Sequence, residues 1–164
     1  MISRKKMIVV VLLLISCIGC DQATKVIAKA SLTFYSSHTF LNDFLRLQYA
    51  ENRGGMMSLG AEMPEEVRFW FLTVFVGLML TGILLFALLN RKLSPFQIIG
   101  LTLIVGGGLS NLVDRLRNDG HVIDFVTIGV GTIRTAIFNL ADVTILLGTF
   151  ILVLSTSAIR KEKV

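Results

Sequence analysis

The stretch Val67–Leu89, VRFWFLTVFVGLMLTGILLFALL, holds a single charged side chain, Arg68 near its start. About 20 apolar residues in helical form cross the hydrocarbon core of a bilayer, so this stretch predicts a membrane-spanning helix. Working outward, three more stretches meet the same test. They run over about 7–28, with Asp21 and Lys25 in the last turns; over 96–113, with Gly106-Gly107-Gly108 inside; and over 140–159, with Asp142 near the start. Between them lie one short turn, 90–95, and two long loops, about 30–66 and 114–139.

Composition agrees. The 164 residues are 54% hydrophobic and only 16% charged, against about 25% charged in a typical soluble domain. A soluble fold of this size cannot hide that much apolar surface, whereas a bilayer can. The length allows one integral-membrane domain over 1–164. The net charge of +5 raises the question of a nucleic-acid partner, and the positions of the charges answer it. They cluster beside the apolar runs, and no basic stripe interleaved with aromatics is present to stack bases. No nucleic-acid partner is expected.

Lysine and arginine also set orientation. Eight of the sixteen basic residues, Arg4, Lys5, Lys6, Arg91, Lys92, Arg160, Lys161 and Lys163, sit at the two termini and the 90–95 turn, with Glu162 as their only acid. Both termini are therefore expected on the cytoplasmic side, and both long loops outside. The outer loops carry strand patterns. Leu45, Leu47 and Tyr49 alternate with Arg46 and Gln48, as in a half-buried strand, and 121–128 and 132–138 hold β-branched and apolar residues between glycines. The expected fold is a mainly α membrane protein: four transmembrane helices with a small extracytoplasmic β-sheet on the outer membrane face.

Ionisable groups at membrane depth cost roughly 2.5–3.5 kcal/mol each on insertion scales and point to function. Five polar clusters stand out: Asp21–Lys25, Asn52–Gly55, Gly107–Arg115, Val122–Phe125 and Phe138–Asp142. Asp21 and Lys25 are four apart on one helix face and are expected to pair, closing the first span. Asn111, Asp114 and Arg115 share a face at the outer end of the third span; Asp114 and Arg115 also fit a simpler reading as snorkelling neighbours. The triple glycine permits close approach of another backbone. Asp124 and Asp142 differ, because neither has a counter-ion nearby in sequence. Two carboxylates brought together in a dry site share a proton, and one can then act as base toward water while the other acts as acid. The commoner alternatives are a helix cap at Asp142 and a surface carboxylate at Asp124.

Other chemistries find little support. His38 and His121 are isolated, with no HExxH or Cys/His ligand spacing. No GxSxG elbow or Walker loop occurs. A Ser–Lys pair using Lys25 with Ser58 or Ser110 fits the spacing, but nothing singles it out. The two cysteines, Cys17 and Cys20, lie in the first apolar run and read as small hydrophobes.

Taken in order across four spans and two outer loops, the five clusters resemble the lipoprotein signal peptidase (signal peptidase II) family over about residues 7–155. The resemblance implies an aspartyl endopeptidase of the bacterial inner (cytoplasmic) membrane. Such enzymes remove signal peptides from lipid-modified prolipoproteins, cutting N-terminal to the diacylglyceryl cysteine. It implies catalytic roles for Asp124 and Asp142, and supporting or substrate-binding roles for Asp21, Lys25, Asn52, Gly54, Asn111, Asp114, Arg115 and Asn139. It implies an active site near the outer face, contact with membrane lipid, no metal or other cofactor, and inhibition by globomycin-type antibiotics. Two departures are visible: the family's Asn-x-Gly-x-x-Phe stretch ends here in Met57, and the loop between Arg115 and Asp124 is rich in polar residues, Arg117, Asn118 and Asp119.

Two rivals are weighed against this. Ile18-Gly19-Cys20 after a basic start looks like a lipidation site, but Cys17 stands where such sites usually have leucine, and three further spans follow. A small transporter or channel subunit would also place carboxylates at membrane depth, yet no inverted repeat is visible.

Overall fold

A computed structural model describes residues 3–34 and 36–161. The side chains of Arg160 and Lys161, and Lys163 altogether, lie outside the described residues. Four long apolar helices dominate: α1 (Arg4–Ser31), α2 (Glu65–Leu89), α3 (Pro95–Arg117) and α4 (Leu140–Lys161). Between α1 and α2 come strands β1 (Ser37–Phe40) and β2 (Leu45–Asn52). Between α3 and α4 come β3 (Val122–Val130) and β4 (Ile133–Arg134). The strands form one antiparallel sheet in the order β1-β2-β3-β4.

The exposure pattern is that of a lipid-embedded bundle. Leu12, Leu78 and Leu146 are 59%, 68% and 62% exposed on the outer faces of α1, α2 and α4, while the interior mixes polar residues such as Asp21, Lys25 and Asn139 with apolar ones such as Val10, Leu80 and Val105. The third helix is central: 44% of its spanning window is buried, against 11–17% for the others. The glycine run explains how. A Cβ on Gly106 would lie 2.8 Å from Cys17 Cβ of α1, one on Gly107 2.5 Å from the Ala141 carbonyl of α4, and one on Gly108 2.7 Å from Leu80 of α2. Three successive glycines thus face three different helices. Lower down, Gly100 and Gly148 meet backbone to backbone, each with the other's carbonyl under 3 Å from its would-be Cβ. Close approach through small residues is how helices pack where lipid offers no hydrophobic drive. The α3 start is fixed by a capping box: Ser94 Oγ accepts from Gln97 N, Gln97 Oε1 accepts from Ser94 N, and Pro95 follows.

Three features depart from the sequence pattern. The second span is not one α-helix: Trp70–Phe75 is a π segment between α-helical Glu65–Phe69 and Val76–Leu89. No proline or glycine marks it. The alternation expected over Leu45–Tyr49 is also absent. Only Tyr49 is buried there, and just beyond Leu47 the β2–β3 register shifts by one residue, between Leu47 (opposite Val126) and Ala50 (opposite Asp124). Such a bulge breaks the period of two. The strand expected over 132–138 is cut to Ile133–Arg134 plus a single bridge from Phe138 to Val126.

Candidate active site

The polar clusters converge where the sheet meets the outer ends of α1, α3 and α4. At the start of α4, Asn139 and Asp142 form a reciprocal cap. Asp142 N donates to Asn139 Oδ1 at 3.0 Å, and Asn139 N donates to Asp142 Oδ2 at 3.1 Å. This is a capping box with aspartate in the third position. The fully buried Asn139 amide then reaches outward. Its Nδ2 donates to Asp124 Oδ1 at 2.7 Å and, less closely, to Asn111 Oδ1 and the Ile123 carbonyl. One asparagine therefore holds both carboxylates.

The remaining oxygens are also tied. Asp124 Oδ2 accepts from Asn52 Nδ2 at 3.1 Å, and Asp142 Oδ1 accepts from Asn111 Nδ2 at 3.0 Å. Among the described residues neither acid makes an ion pair. Asp124 is 3% exposed, whereas Asp142 is half-buried and so opens to one side. Burial, followed by the neighbouring Asp142 carboxylate, pushes Asp124 up to about 7, against the lowering influence of the Asn52 and Asn139 hydrogen bonds and the Lys25 charge. An acid in that range is present in both protonated and ionised forms near neutral pH, so it can give up or take a proton in a reaction.

Beneath the pair lies a buried charge network. Lys25 Nζ, 1% exposed, contacts Asp21 Oδ2 at 2.7 Å and Asp114 Oδ2 at 2.8 Å, and donates to Asn111 Oδ1 at 2.8 Å. Asp21 also accepts from Ser110 Oγ and from Ala141 N in the first turn of α4. Asp114 accepts from Gln22 Nε2 and from Ile123 N, the residue before Asp124. This network thereby sets the height of both carriers, β3 and α4. The expected Asp21–Lys25 pair is present, extended by Asp114 into a three-charge cluster.

Asn111 and Asp114 both meet Lys25, and Asn111 also donates to Asp142, while Arg115 turns outward, its Nη2 donating to the Gly54 carbonyl at 2.8 Å. Asp114 is too deeply buried for a snorkelling neighbour. Gly54 sits in a turn drawn tight by Asn52, whose Oδ1 accepts from Gly54 N and whose Nδ2 donates to the Gly55 carbonyl. A Cβ on Gly54 would lie 2.5 Å from the Ser58 carbonyl, so only glycine fits. Beyond it Met57 and Ser58 take positive φ, and Met56, Met57 and Leu59 project outward, each at least 75% exposed. Gln22 and Ser110 stood inside the quoted clusters, but their positions alone did not reveal that they close the Asp21–Asp114 network.

The sequence profile described as Signal peptidase (SPase) II matches residues 13–158. A lipoprotein signal peptidase of Syntrophus aciditrophicus is 33% identical over 144 residues, 87% of this chain and 88% of its own length. One from Oleidesulfovibrio alaskensis is 32% identical over 162 residues, 98% of this chain and 99% of its own length. Among solved structures, a bacterial membrane enzyme determined by the in meso method at 2.3 Å resolution matches with a TM-score of 0.82 at 21% identity, covering 95% of this chain and 92% of its own. The chain belongs to the signal peptidase II family: it is a multi-pass bacterial membrane peptidase.

Proposed function

We propose that this chain is an aspartyl endopeptidase that cuts prolipoproteins on the N-terminal side of the diacylglyceryl cysteine, with Asp124 and Asp142 as the catalytic pair. The observation that carries the reading is the Asn139 side chain and backbone holding both carboxylates, with Asp124 raised to about 7. The pair shares one proton. The ionised member takes a proton from a water whose oxygen attacks the scissile carbonyl, and the protonated member delivers its proton to the amide nitrogen as the C–N bond breaks. The products are a signal peptide with a new carboxylate and a lipidated cysteine with a free α-amino group.

The other site residues support this chemistry without sharing it. Asn52, Asn111 and Asn139 orient the carboxylates. Asp21, Lys25 and Asp114 hold β3 and α4 at one depth. Arg115 fixes the Gly54 turn, where the substrate backbone approaches. The reading places both termini on the cytoplasmic side, the pair near the outer face, and globomycin-type antibiotics in the substrate's place. The diacylglycerol stays in lipid, since drawing it into water would cost about 0.8 kcal/mol per CH₂, and it reaches the site from the side.

Purified protein incubated with a lipidated pre-peptide tests the assignment. Asp124→Asn and Asp142→Asn should each lower turnover by about 10²–10⁴-fold, the usual worth of a general acid or base, with folding intact. An unlipidated pre-peptide should be cut poorly. Near-normal turnover by either variant refutes the catalytic pair. An impermeant thiol reagent should label Asn118→Cys in intact spheroplasts; labelling only after lysis would reverse the orientation.

A further inference from the structure

A cavity lies at the opposite end of the bundle from the carboxylate pair, where α1 begins and the α2–α3 turn passes. It measures about 360 Å³, and its lining combines the polar Ser3, Lys6 and Arg91 with the apolar Leu88, Leu89, Leu93 and Ile98. Lys6 Nζ donates to the Asn90 carbonyl at 2.9 Å, pinning the start of α1 to the turn. That bond uses one of three ammonium donors, so two remain for a ligand. Arg91 makes no ion pair among the described residues, and residues 3–6 and 88–98 contain no acid. The first turn of α1 adds its unpaired amides and the positive end of a 28-residue helix, with Ser3 making no capping bond.

We infer that this cavity binds the phosphate of an anionic phospholipid, with Lys6 and Arg91 on the phosphate and the leucine and isoleucine wall against the glycerol and first methylenes. The amphiphilic lining decides between a lipid and a free anion, because inorganic phosphate would leave the apolar wall unused. Basic pockets between membrane helices recognise anionic headgroups in this way. The site is distinct from the general basic fringe of the membrane surface, to which the exposed Lys5 and Lys92 belong. Neither of those lines the cavity.

That contrast supplies the experiment. The full chain in detergent micelles is titrated with phosphatidylglycerol or phosphatidylcholine, and bound lipid is counted by native mass spectrometry. Wild type and Lys5→Gln/Lys92→Gln should retain phosphatidylglycerol alike. Lys6→Gln/Arg91→Gln, with the same net charge as that control, should bind it roughly tenfold more weakly. Leu93→Trp, which fills the cavity and leaves every charge in place, should lose binding too, guarding against a charge variant that fails to fold. Phosphatidylcholine should bind weakly to all, and inorganic phosphate should not compete. Equal loss in the two double variants, equal retention of the two lipids, or displacement by phosphate would each overturn the inference.

Discussion

Asn52 reaches Asp124 because β2 carries one residue more than β3 between Leu47 and Ala50. In the register that pairs Leu47 with Val126, Asp124 would stand opposite Tyr49, and Asn52 would point to the other face of the sheet. The bulge turns Asn52 onto the face of Asp124, at the diagonal position beside it, where the side chains meet at 3.1 Å. One inserted residue thus supplies the donor on Asp124 Oδ2.

That donor makes a pH prediction. Asp124 titrates near 7, and the Asn52 hydrogen bond lowers it from a still higher value. Cleavage should fall as pH rises through about 7 and the pair loses its shared proton. In Asn52→Ala turnover should drop, and the alkaline limb should move to higher pH. The stability sign follows from the same shift. The folded state keeps a proton that the unfolded chain releases near its ordinary value of 3.8. This contribution is present below that value and is lost as pH rises through about 7. Asp124→Asn should remove that slope from unfolding measurements. A pH–rate profile unchanged by Asn52→Ala would contradict the account.

Asn139 should show separable roles. Asn139→Ala loses the side-chain cap, costing about 1 kcal/mol, and frees Asp124 Oδ1 while the backbone N–H still holds Asp142; the misplaced Asp124 should lower turnover by about a hundredfold. Asn139→Ser keeps a capping oxygen but has no amide to reach Asp124. It should recover much of the melting temperature and little of the turnover. Recovery of both together would mean that the cap alone matters.

Lys25 tests the buried network. Lys25→Met leaves Asp21 and Asp114 unpaired in the interior, where breaking a buried pair costs about 3–5 kcal/mol. Yield and thermal stability in micelles should fall sharply, while the folded fraction loses less activity than the Asp124 and Asp142 variants. Complete loss of turnover at unchanged stability would instead put Lys25 in the chemistry.

Two glycines make a matched pair. A Cβ on Gly107 would lie 2.5 Å from the Ala141 carbonyl, one residue from Asp142, whereas one on Gly19 meets nothing within 4 Å. Gly107→Ala should destabilise by about 1–3 kcal/mol through overpacking and also lower turnover. Gly19→Ala should be neutral or stabilising by up to about 1 kcal/mol, since alanine favours a helix. Melting curves of the two variants decide it.

The spans were legible because 20 apolar residues leave few alternatives, and the Asp21–Lys25 pair because helical spacing places four-apart residues together. The tertiary use of each polar group was not. Asn111 and Asp114 share Lys25, but Asn111 also reaches Asp142 and Arg115 reaches the Gly54 carbonyl, since what surrounds a central helix is set by its neighbours. The register shift at Gln48–Tyr49 and the π segment at Trp70–Phe75 were equally hidden. Both depend on hydrogen bonding between or along backbones, to which no residue type in those stretches is specific.

The bond from Ala141 N to Asp21 joins positions 120 apart, and it has a consequence for biosynthesis. The fourth helix is the last to leave the ribosome, and until it arrives Asp21 has Lys25 and Ser110 but lacks this last partner, while Asp142 is still absent. If Asp142 belongs to the catalytic pair as proposed, a nascent chain holding only three helices contains no complete hydrolytic centre.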